Sequence, residues 1–155
     1  MNSSSFSPWA PVAIRLIVGF GFMQHGFAKL GRGADSFAGI LDALHVPFPL
    51  FMAWATIAVE ILGGLCVLLG AFVALASVPM IVVLLVAIFT VHLPNGFSSI
   101  KLMAVDVAGA HFGQPGYECD LLYVAGIVAL VLGGSGYASI DGWRRQRRVP
   151  VGVPS

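Results

Sequence analysis

The sequence predicts an all-α integral membrane protein: a four-transmembrane-helix bundle with its N- and C-termini in the cytoplasm. Three observations carry that prediction. Of 155 residues, 58% are hydrophobic and 10% are charged, whereas a soluble domain carries about 25% charged residues. Four apolar stretches each approach the roughly 20 residues that a hydrocarbon core requires. A cluster of arginines, WRRQRR, follows the last of them. It marks a cytoplasmic end, because Lys and Arg beside a span are retained inside.

The first span runs from about Trp9 to Leu30. No cationic region precedes it, so it reads as a retained span and not as a removed signal peptide. The leading NSSSFSP is a frayed entry. The second span runs from about Phe51 to Gly70 and the third from Phe72 to His92. They are almost continuous, and one unbroken helix would exceed any bilayer, so a tight turn must part them near Gly70 and Ala71. The fourth runs from about Asp120 to Ser139. Residues 1–143 thus make a single transmembrane domain, and residues 144–155 a basic, disordered tail. The longer loops, Gly31 to Leu50 and Pro94 to Cys119, face outside. The stretch SSIKLMAVDVAGAHFG in the second is too apolar for a plain connector. It either dips into the membrane or caps the bundle. A net charge of +1 excludes the electrostatic footprint of a nucleic-acid binder. The terminal arginines contact the bilayer, in particular anionic headgroups.

Five ionisable residues lie in or at the ends of these apolar segments: Arg15, His25, Lys29, Glu60 and His92. Charges within a membrane face the bundle interior, pair with one another and mark functional sites. At about 100° per residue, Arg15, Gly19, Phe22, Gly26 and Lys29 share a face of the first span, with His25 at its edge. Thr56, Glu60, Gly63, Gly64 and Val67 share a face of the second. The charges therefore sit on stripes of small residues, where membrane helices approach closely. Counting depth at about 1.5 Å per residue sets Arg15 and Glu60 near one another. They are expected to pair, with His25, Lys29, His92 and Glu118 forming a vestibule above them. Blander roles compete. The pair can be a staple fixing helix register, Lys29 can snorkel to headgroups, and Glu118 can offset the dipole of the helix it starts.

Several segments together resemble the DoxX family. They are RLIVGFGFMQHGFAKLG with Arg15, His25, Gly26 and Lys29; VEILGGL with Glu60; HLPNGF at His92; YECDLL at Glu118; and GSGYASID with Ser139 and Asp141. The resemblance implies a four-helix protein of the bacterial or archaeal cytoplasmic membrane. It also points to quinone-linked redox work, since the name-giving relatives are subunits of thiosulfate:quinone oxidoreductase. On that reading His25, Lys29 and Glu60 are the candidate catalytic groups, and Arg15, Phe22, His92 and Glu118 the candidate cofactor-binding groups. A quinone needs donors for its carbonyl oxygens, which His25 and Lys29 offer, and proton carriers, which Glu60 or Glu118 offer. Phe22, Phe27, Trp54 and Phe89 can line an apolar slot.

The residues alone leave three functional classes open. The first is a quinone-linked oxidoreductase subunit. The second is a non-catalytic anchor or assembly partner of a soluble redox protein. The third is a small-solute transporter gated by Arg15 and Glu60. Cys66 and Cys119 lie at opposite depths, too far apart for a disulfide. His25, His92 and His111 lack a metal-ligand spacing, so no metal is expected.

Overall fold

The computed structural model describes residues 9–148. Helix α1 spans Ala10–Arg32, with Pro11 in its first turn where a missing N–H costs nothing. It ends at Gly33, whose φ of 91° only glycine adopts freely. The loop expected after it contains a second helix, α2, Ala34–Ala43. Its sequence ADSFAGILDA places Ala34, Ala38 and Leu41 on one face, and all three are buried. Ala38 and Leu41 form a small core with Ala53 of the next helix. That amphipathic spacing is why the loop folds.

Helix α3 covers Pro49–Leu69 and helix α4 covers Val73–Asn95. Both are long and apolar enough to cross a membrane. The turn between them falls where the sequence places it. Gly70 is left-handed at φ 62°, its N–H donates to Val67, and the Ala71 N–H donates to Cys66 at 2.8 Å. This paired closure is a Schellman cap. Neither helix is regular. α3 contains a π-helical turn over Val59–Gly63, and α4 has another over Ile88–His92 followed by a 3-10 turn.

The second long loop neither is plain nor enters the bundle. It folds as an antiparallel hairpin of β1, Leu102–Asp106, and β2, Gly109–Phe112. Asp106 accepts from the Ala108 N–H at 2.8 Å and contacts His111 at 2.9 Å. The His111 imidazole holds the Asp106 carboxyl below the usual aspartate range. Every residue of both strands is exposed.

Helix α5 spans Glu118–Gly133 and helix α6 spans Ile140–Arg148. Two expectations are corrected here. The fourth apolar stretch is not helical through Ser139: it stops at Gly133, and Gly134, Gly136 and Ala138 all take positive φ. Arg144 to Arg148 are not a disordered extension but belong to α6. The expected frayed entry and the end of the tail lie outside the described residues.

The core is formed by α1, α3, α4 and α5 around Val18, Phe22, Val67, Met80, Leu84 and Ile127. α1 and α3 touch backbone to backbone. A Cβ on Gly19 would lie 2.7 Å from the Gly64 carbonyl oxygen, and one on Gly64 would lie 2.7 Å from that of Gly19. The outside is apolar too: Leu75 is 73% exposed and Leu132 83%. A surface of that kind suits lipid and not water.

Candidate functional site

Glu60 is buried, and its partner is Lys29. The Lys29 ammonium donates to both carboxylate oxygens, at 2.6 and 2.7 Å. The lysine side chain keeps 25% exposure and the glutamate 6%. Helix α2 roofs the pair, with the Lys29 ammonium 5.2 Å from the centre of the Phe37 ring. Glu60 lies within the π turn of α3, and π turns of this kind recur at functional sites. Gly26, next to His25, lets α1 come this close. A Cβ there would stand 3.1 Å from the Glu60 Cβ and 2.6 Å from Ile61.

The expected Arg15–Glu60 pair is not formed. Gly19 meets Gly64 and Gly26 meets Glu60, so the antiparallel register carries Arg15 to the far end of α3. There it is 4% exposed and enclosed by carbonyls. Nε donates to Val67 at 3.2 Å. One terminal nitrogen donates to Ser135 and Tyr137, both at 3.0 Å. The other donates to Leu68 at 2.8 Å and Ala138 at 3.0 Å. A guanidinium has five N–H donors, and all five are used. Val67 and Leu68 offer carbonyls of the last turn of α3, where the helix dipole is negative. Arg15 is therefore removed from the candidate gate and from reach of a ligand in the vestibule.

The other candidates divide. His25 is exposed, and its ring meets Tyr123 edge-on at 6.4 Å. Phe22 is buried and meets the same tyrosine edge-on at 5.5 Å. His92 sits in the second π turn, with Nδ1 3.2 Å from the Pro115 carbonyl and Nε2 3.9 Å from Asp120. Glu118 accepts from the Ser99 N–H at 3.0 Å and so ties the hairpin loop to the start of α5. The structure thus joins Lys29 to Glu60 directly, and His25 to Phe22 through Tyr123. It sets His92 beside Asp120.

Sequence reasoning missed Tyr123, Asp120 and Phe37. Asp120 and Tyr123 lie one turn apart on the first turns of α5, and that spacing was the available signal. Phe37 required recognising α2.

Apolar exterior, two helices able to cross a bilayer and a buried ion pair together define a helical membrane protein. The chain belongs to the DoxX family, whose model matches residues 10–93. That match contains Arg15, His25, Lys29, Glu60 and His92. The chain is also similar to an uncharacterized membrane protein of Mycobacterium tuberculosis, 28% identical over 138 residues, which are 86% of this chain and 80% of the relative. No solved structure matches it.

Proposed function

We propose that this is a four-span protein of the bacterial or archaeal cytoplasmic membrane, with both termini inside. Its work is quinone-linked redox, centred on Lys29, Glu60 and His25. The observation that carries the reading is the two-oxygen contact of Lys29 with buried Glu60, in a π turn, with the lysine still partly exposed. A quinone, when bound, would supply the two-electron chemistry. This chain's residues supply polar contacts and proton handling. His25, exposed at the same end, has an imidazole able to donate to a carbonyl oxygen. Lys29 keeps one N–H beyond the two given to Glu60. Glu60 holds that ammonium in place and can take up or release a proton beside it.

The hairpin favours a second reading, in which the chain anchors a soluble redox protein. Met103, Val105 and Val107 are 72%, 69% and 110% exposed. A two-stranded hairpin is marginally stable alone, and a partner docking there would bury it.

The test is mass spectrometry of an organic extract of the detergent-purified protein. Stoichiometric quinone in the native protein, lost in His25→Ala and in Lys29→Met/Glu60→Met, supports the redox reading. Native protein without quinone sinks it and leaves the anchor.

A further inference from the structure

The arginine end of the molecule lies far from Lys29 and Glu60 and has its own cavity. About 390 Å³ opens there between the first turn of α4, the end of α5 and helix α6. Its floor is Val73, Ala74, Leu130 and Val131, and its rim holds Arg144 and Arg145. Asp141 also lines it. However, the two Asp141 carboxylate oxygens accept the N–H groups of Phe72 and Val73, at 2.9 and 3.0 Å. The Asp141 N–H donates to the Gly70 carbonyl at 2.9 Å. Helix α6 is thereby fastened to the α3–α4 turn, which sets Arg144 and Arg145 on the rim. Arg144 packs its guanidinium over the Phe72 ring at 4.5 Å, a face contact that consumes no N–H. Neither arginine has a carboxylate within ion-pair distance among the described residues.

Two unpaired guanidinium groups above an apolar floor match an amphiphile with an anionic head. We propose that this cavity binds an anionic phospholipid. Its phosphodiester sits at Arg144 and Arg145, and its acyl chains follow the apolar surface of α4 and α5. Forked guanidinium donors fit phosphate oxygens, and basic pockets between spans select anionic headgroups. The surface continues apolar below the rim, where Val131 and Leu132 are exposed. A soluble anion would gain nothing from that floor. A zwitterionic lipid would set its own cation against the arginines.

The test uses native mass spectrometry of the full chain, released from detergent with phosphatidylglycerol or phosphatidylcholine. The native protein should retain phosphatidylglycerol on the order of tenfold better. Arg144→Gln/Arg145→Gln should abolish that preference. Val131→Trp, which fills the floor and leaves every charge, should abolish it too, so the site remains testable if the arginine variant fails to fold. Arg147 instead packs over Trp143 at 3.7 Å, and Arg147→Gln should keep the preference. Unchanged retention in the first two variants overturns the site. Equal loss in Arg147→Gln means diffuse attraction and also overturns it. Displacement of the lipid by inorganic phosphate would make the ligand a soluble anion and overturn the lipid assignment.

Discussion

Arg15 shows how a buried cation is stabilised without a counter-ion. Five donors meet five carbonyls, three of them from a segment with no helical bonding of its own. Lysine has three donors on a point-like head. Arg15→Lys therefore strands carbonyls in an apolar interior, and should lower unfolding stability in detergent by about 3 kcal/mol. An unchanged melting midpoint would show that the cage is incidental. Lys29 and Glu60 make the opposite case, a true pair. Glu60→Met alone leaves a partly buried ammonium unpaired, and Lys29→Met alone leaves a buried carboxylate. Each single change should cost more than Lys29→Met/Glu60→Met together, by about 2 kcal/mol. Additive costs in that cycle would mean the two side chains do not interact. The sequence announced that Arg15 and Glu60 are buried. It did not disclose their partners, because a partner depends on helix register and on the inward reach of the Lys29 stem. An error of one or two turns reassigns both charges.

Helix ends and irregular turns carry the rest of the architecture. The α3–α4 break was legible, because Gly70 is the residue that a left-handed cap requires. The end of α5 was not. Counting apolar residues carries the fourth stretch through Ser139, yet GSGYAS already holds two glycines able to stop it. Unpaired backbone at membrane depth is tolerated only where protein satisfies it, and here Arg15 and the Ser139 hydroxyl do so. The hydroxyl donates to Gly136 at 2.6 Å and accepts from the Gly142 N–H at 3.1 Å. The π turns at Glu60 and His92 left no sequence signal that periodicity could detect, since both helices are apolar on nearly every face and the phase shift of an inserted residue then has no polar stripe to displace. Packing of α1 on α3 is testable at this scale. Gly64→Ala puts a methyl against the Gly19 carbonyl and Met23, and should destabilise by about 1–3 kcal/mol. Gly133→Ala meets nothing within 4 Å and should be close to neutral. If both melt alike, the close approach of α1 and α3 contributes nothing to stability.

The whole molecule is asymmetric along its long axis. One end gathers the start of α1, the Gly70 turn, the end of α5 and the basic α6. The other carries α2, the hairpin and the Lys29–Glu60 pair. Orientation depends on cations near span ends. At the hairpin end Lys29 is already committed to Glu60, which leaves Arg32 and Lys101. At the other end Arg144, Arg145, Arg147 and Arg148 follow α5 within a short stretch. That balance supports the proposed orientation, with the arginines in the cytoplasm and the hairpin outside. Two free cysteines report on this directly: Cys119 is exposed at the hairpin end of α5, and Cys66 is half-buried toward the other end of α3. In a Cys66→Ala variant, a membrane-impermeant maleimide should label Cys119 in intact cells. Labelling that appears only after permeabilisation would invert the protein. It would turn the Lys29–Glu60 site toward the cytoplasm and expose the arginine cavity to the opposite leaflet. Both the redox reading and the lipid site would then need different partners, so orientation is the physical variable on which the two proposals jointly depend.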